Sequence, residues 1–119
     1  MKAFSPLDIA ILDENAVYLG VPRLLLMENA GRAVADAVKE KLGRLQGKRI
    51  VVFAGLGNNG GDGFVSARHL AGEEAAVLVI LVGKEGDIGT DEAKTNWRML
   101  KNMERHVKLV ETKSAEEIE

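Results

Sequence analysis

The chain has no cysteine among its 119 residues. That removes disulfide frameworks, thiolate nucleophiles and Cys-based zinc or iron–sulfur sites together, and it fits a reducing, cytoplasmic compartment. It also has no excess of positive charge, since 16 Lys and Arg stand against 18 Asp and Glu for a formal net charge of −2. Counterion release from a nucleic acid and attraction to anionic lipid both need clustered cations, so no nucleic-acid or membrane partner is expected. Long apolar runs are missing too. The longest, Ala75 to Val82, is far below the roughly 20 residues needed to cross a bilayer. Met1 to Asp8 carries one Lys and no apolar stretch of the kind a secretory signal requires. No repeat, low-complexity tract or linker-like shift in composition divides the chain.

What is present is the makeup of an ordinary globular domain, 46% hydrophobic and 29% charged, and the length suits one domain. Ser5, Pro6 and Asp8 form a helix start, predicting a first helix from Pro6 to about Tyr18. Gly20 and Pro22 then separate it from a second helix, Arg23 to Leu42, which stops at Gly43. On a helical wheel Leu24, Met27, Gly31, Val34, Val38 and Leu42 share one stripe, widened by Ala30, Ala33 and Ala37. The stripe predicts a buried face, and its small residues predict close approach of another backbone.

From Lys48 the pattern changes. Ile50 to Ala54 is a continuous apolar, β-branched run, read as a strand buried on both faces in a parallel sheet. A glycine-rich loop, Gly55 to Gly63, should lead into a helix from about Phe64 to Ala71 and then a second buried strand, Ala76 to Val82. Strand, loop, helix and strand in that order imply a right-handed βαβ crossover. Thr90 is placed to cap a third long helix running to about Met103, with Asp91 and Glu92 in its first turn, and His106 to Glu111 reads as a third strand. Ser114 and Glu117 have the spacing of a capping box. The pattern predicts an α/β fold that is incomplete at its C-terminus, with an open sheet edge that a second copy in a homo-oligomer or further sequence would pair.

The chemistry concentrates in the glycine-rich loop. Gly55, Gly57 and Gly60 satisfy G-x-G-x-x-G between a strand and a helix, the setting of a dinucleotide-binding turn. Glycines there permit positive φ and close approach of a ligand to backbone N–H groups. No Lys-Ser or Lys-Thr follows, so it is not a Walker loop. Asp62 puts a carboxylate where a pyrophosphate would approach, whereas a carboxylate with two amides, Asn58 and Asn59, suits hydroxyl and amide recognition or a hard cation. In the plainer alternative Asp62 caps the helix and the asparagines occupy left-handed turn positions. Elsewhere, Glu28, Arg32 and Asp36 read as a solvated ion-pair ladder, and His69 and His106 as structural histidines. Trp97, Met99, Leu100 and Met103 read as core. Glu85 has the position of a ribose-binding acid, although a surface acid in a turn is commoner.

Two motifs carry a resemblance: Leu26-Met27-Glu28-Asn29-Ala30-Gly31, and Gly57-Asn58-Asn59-Gly60-Gly61-Asp62-Gly63 followed by Ala67-Arg68-His69-Leu70. With them the sequence resembles the YjeF N-terminal-domain family, the NAD(P)HX epimerases, over essentially its whole length. The resemblance implies a three-layer αβα, Rossmann-like domain preceded by two N-terminal helices, and interconversion of the R and S epimers of hydrated NADH or NADPH. A fused or separate dehydratase would then restore the cofactor. It implies that Asn58, Asn59, Gly60, Gly61 and Asp62 contact the damaged nucleotide, that Asn59 also ligates a potassium ion, and that Glu28 and Asn29 lie beside the site. The family's acid–base aspartate and remaining potassium ligands would lie beyond Glu119, so residues 1–119 are expected to form the N-terminal part of one domain, without epimerase activity on their own. A non-catalytic nucleotide-binding or interaction module of the same fold is the alternative, which intact Asn59 and Asp62 argue against. A plain NAD-dependent oxidoreductase is disfavoured by Asp62.

Overall fold

A computed structural model describes residues 20–113. The predicted helix Pro6 to Tyr18 and the capping box at Ser114 and Glu117 lie outside the described residues. Helix α1, Arg23–Leu42, has the predicted bounds: Pro22 stands at its N-cap, and Gly43, at φ +74°, can turn the chain while its N–H reaches the Lys39 carbonyl. Strand β1, Arg49–Ala54, is followed by helix α2, Asn58–Gly72, strand β2, Ala76–Val82, a 3₁₀ turn, Glu85–Asp87, helix α3, Asp91–Lys101, and strand β3, Val107–Thr112.

The strands pair in parallel in the order β1-β2-β3, with Val52 beside Val79 and Val79 beside Leu109. Right-handed crossovers that advance in one direction place α2 and α3 on the same side of the sheet. There Ala54, Val77, Val79, Leu81 and Val107 form one core with Phe64, Val65, Leu70, Trp97 and Leu100. The Phe64 and Trp97 rings meet at 5.2 Å.

Three expectations are corrected here. β1 is not buried on both faces: Val51 and Phe53 are 49% and 59% exposed, because among the described residues the helices cover only the opposite face. The buried face of α1 is also narrower than the predicted stripe. It follows Met27, Gly31 and Ala35, while Leu24, Val34 and Leu42 are exposed. The reason is that α1 packs on α2, where the small residues permit contact. A Cβ on Gly31 would lie 2.4 Å from Val65 and 2.7 Å from the Asp62 carbonyl oxygen, so the predicted close approach of a backbone is present.

The third correction concerns α2. The segment read as a loop to Gly63 is helical from Asn58 onward, so Asp62 lies inside the helix rather than capping it, and neither asparagine has positive φ. Glycine disfavours a helix by about 1 kcal/mol per residue relative to alanine, yet packing overrides that cost here. A Cβ on Gly60 would lie 2.0 Å from the Gly55 carbonyl oxygen, and one on Gly61 would lie 2.4 Å from the Met27 methyl. These glycines are required by space and not by φ. Smaller differences are that α3 ends at Lys101 instead of Met103 and that Met99 is exposed.

Candidate functional site

β1 delivers the chain to the carboxyl edge of the sheet, where parallel α/β folds bind ligands. Gly55, Leu56 and Gly57 cross that edge and α2 begins at Asn58. Leu56 packs on the strand-end Gly83, and its carbonyl accepts from the Gly89 N–H at 2.8 Å. Among the described residues no side chain caps the first turn of α2, and the first amide to bond back is that of Gly61, to the Gly57 carbonyl at 3.1 Å. The preceding amides and the helix dipole therefore favour electron-rich groups.

The structure brings the five predicted contact residues into one and a half helical turns with different exposures. Asn58 and Asn59 are exposed, Gly60 and Gly61 are buried, and Asp62 is half-buried. Beneath them lies a packed support. Met27 abuts Gly61, and its Sδ lies 3.2 Å from the Nδ2 of the buried Asn96, which also donates to the Glu92 carbonyl at 3.0 Å. The Ser66 hydroxyl lies within hydrogen-bond distance of the Gly31 and Asp62 carbonyls, at 2.8 and 2.9 Å, tying α1 to the same turn of α2. At the outer side the Thr90 hydroxyl donates to Asn58 Oδ1 at 2.8 Å. Sequence reasoning missed Ser66, Asn96 and the second bond of Thr90. Only the capping role of Thr90 had a local signal, and it is present, with Thr90 Oγ1 accepting from the Ala93 N–H at 3.3 Å.

Glu28 does not form the expected ladder with Arg32 and Asp36. Its carboxylate turns to α2, accepting from Arg68 and lying 2.6 Å from His69 Nε2. Burial by itself pushes the Glu28 carboxyl up, but hydrogen bonds from His69 and Arg68 and the adjacent charges outweigh it and hold the group below its ordinary value. Arg68 is ten positions beyond Asn58, about 15 Å along a helix axis, so this cluster clamps the far end of α2. Asn29 is exposed. Glu85 accepts from Trp97 Nε1 at 2.6 Å and from Lys101 at 3.2 Å, and these bonds, the Trp97 one foremost, lower its pKa. The acid in the position of a ribose ligand is thus committed to α3.

Three cavities are lined by other residues. One of about 270 Å³ lies between α1 and α2 at Ala35, Leu45 and Leu70, and another of about 250 Å³ lies between Glu85, Trp97 and Lys101. A third, of about 480 Å³, opens at the sheet's carboxyl edge by Gly83, Lys84 and Glu111. Among the described residues no three acids or histidines gather as a cation cluster, and no helix is long and apolar enough to cross a membrane.

The fold and this edge define a Rossmann-like parallel α/β domain with a glycine- and asparagine-bearing helix start as its candidate site. The sequence narrows the class further: the profile of the YjeF-related protein N-terminus matches residues 23–119, and the chain belongs to that family. It is 44% identical over 119 residues to the bifunctional NAD(P)H-hydrate repair enzyme Nnr of Methanocaldococcus jannaschii, an alignment covering 98% of this chain and 23% of that protein. It is 47% identical over 100 residues to the NAD(P)H-hydrate epimerase of Cenarchaeum symbiosum, covering 83% of this chain and 45% of that one. The crystal structure of yeast ynu0 superposes with a TM-score of 0.74 at 30% identity, over 95% of this chain and 48% of the yeast chain. The chain therefore spans less than half the length of each of these proteins.

Proposed function

We propose that the protein carrying this sequence is an NAD(P)H-hydrate epimerase, which interconverts the R and S epimers of hydrated NADH and NADPH in the reducing interior of the cell. The observation that carries the proposal is the pairing of a relative named for that activity, at 47% identity, with an exposed Asn58-Asn59 pair on an uncapped helix start at the sheet's carboxyl edge. In this reading Asn58 to Asp62 bind and orient the hydrated nucleotide. Gly60 and Gly61 allow the helix to start close against Gly55 and Met27, so the turn is held before the ligand arrives. Proton transfer at the epimerised carbon is assigned to sequence outside these 119 residues.

Asn59 is proposed as one potassium ligand. Its amide carbonyl is a neutral oxygen donor on an exposed turn, a donor that fits a weakly bound monovalent cation better than a divalent one, which favours gathered carboxylates. The ion would supply positive charge beside the anionic nucleotide. A dehydratase, fused or separate, is the proposed partner activity, since the Methanocaldococcus relative is named a bifunctional repair enzyme. The test is epimerisation of purified S-NADPHX by the full-length protein, followed by chromatographic separation of the epimers with and without potassium. Equilibration of the two epimers supports the proposal. Persistence of the single starting epimer, beyond its spontaneous conversion, refutes it.

A further inference from the structure

The Thr90 hydroxyl does two things at once. It accepts the Ala93 N–H as the cap of α3 and donates its proton to Asn58 Oδ1. A hydroxyl has one proton to give, and here it goes to Asn58 Oδ1, which orients the amide. With Nδ2 facing Thr90, the hydroxyl would accept twice and its proton would be left to solvent. With Oδ1 facing Thr90, the hydroxyl both accepts and donates. The amide is planar, so an oxygen edge held at Thr90 leaves the NH₂ edge turned away from it. Nδ2 of Asn58 has no partner among the described residues.

We propose that Thr90 is a positioning residue that fixes the Asn58 amide with its nitrogen toward the ligand, making Asn58 a hydrogen-bond donor to an acceptor oxygen of the bound nucleotide. This rests on the function proposed above and divides the labour of the two asparagines. Asn58 serves the nucleotide through N–H, and the cation is left to the carbonyl of Asn59. The bond also joins the start of α2 to the start of α3, two elements separated by 32 positions in sequence, so the loop after β2 takes part in the site without touching the ligand.

The test is a fluorescence titration of the full-length protein with NADPH, comparing wild type, Thr90→Val and Thr90→Ser, each also combined with Asn58→Ala. One hydrogen bond of this kind corresponds to roughly a three- to tenfold change in affinity. Thr90→Val should weaken binding by that factor and Thr90→Ser by less than about twofold. In the Asn58→Ala background Thr90→Val should have no further effect, because residues that act through one contact are not additive. If loss of the cap unfolds Thr90→Val, Thr90→Asp replaces it, since it keeps a cap acceptor and has no proton to donate; it should weaken binding at unchanged Tm. Wild-type affinity in either variant, a loss in Thr90→Ser equal to that in Thr90→Val, or a full additional loss in the Asn58→Ala background overturns the assignment while leaving the proposed function standing. Failure of the wild type to bind NADPH overturns both.

Discussion

The two ends of α2 are held in opposite ways. Its first turn is built from glycines and side-chain amides, is exposed at Asn58 and Asn59, and is tied to the rest of the domain by the neutral hydrogen bonds of Thr90 and Ser66 and by close packing. Its second half is gripped by a charged cluster, with Glu28 of α1 between Arg68 and His69. Both regions belong to the motifs that mark the family, yet the contacts separate them. The charged end spends its side-chain bonds on a neighbouring helix, which is what a structural clamp does. Among the described residues the first turn leaves backbone N–H groups and amide atoms without a protein partner, which is what a binding turn must do.

The sharpest way to break this comparison is through the glycines. Gly60→Ala should destabilise the protein by about 3 kcal/mol in urea unfolding, because the added methyl meets the Gly55 carbonyl, a backbone group that cannot swing aside. A cost under about 1 kcal/mol, the ordinary range for a surface substitution, would show that the start of α2 is not held by packing.

Next in size is Glu28→Gln. The side chains of the cluster are a quarter to a third exposed, so solvent screening limits the expected loss to about 1 kcal/mol. NADPH affinity should not change. A fall in affinity without a fall in Tm would move Glu28 from the clamp to the binding turn.

The same residue predicts a pH dependence. Because the folded-state carboxyl sits below its ordinary value of 4.5, the unfolded chain binds the proton more readily than the native one near that pH. The contribution of Glu28 is thus complete above about 4.5 and is lost as pH falls through the lower folded-state value. Chemical denaturation of wild type and Glu28→Gln over that range should show the difference between them shrinking on acidification. A constant difference would mean that the carboxylate's charge plays no part.

The smallest effect on stability should come from Asn59→Ala, within about 0.5 kcal/mol for an exposed position with no capping role. Its effect should appear in ligand binding instead, as a smaller potassium-dependent rise in Tm in the presence of NADPH. Equal shifts in wild type and variant would remove Asn59 from the cation site.

Most of the fold was legible in the sequence because its signals are local. Pro22 and Gly43 bracket α1, Thr90 caps α3, and the apolar runs at Ile50 to Ala54 and Ala76 to Val82 mark adjacent parallel strands. What was illegible depends on partners distant in sequence. Five glycines between Gly55 and Gly63 read as a loop, since nothing local reports that Gly55 and Met27 come to lie against Gly60 and Gly61. The buried face of α1 was drawn too wide for a related reason: a wheel weighted by large apolar residues includes Leu24 and Val34, whereas the line that packs closely on α2 is Met27, Gly31 and Ala35. The candidate site was found by composition, as a cluster of glycines and amides. Its supports, Ser66, Asn96 and Thr90, carry no such signal, because a hydroxyl or amide reveals its partner only when the chain is folded.

The central claim is that the first turn of α2 faces ligand and the remainder of the helix faces protein. Backbone amide chemical shifts of the ¹⁵N-labelled full-length protein, titrated with NADPH, test it directly. The largest changes are expected at Asn58 to Asp62 and at Thr90, with Arg68, His69 and Leu70 little affected. Changes centred instead on Ala35, Leu45 and Leu70, around the cavity between α1 and α2, would contradict it.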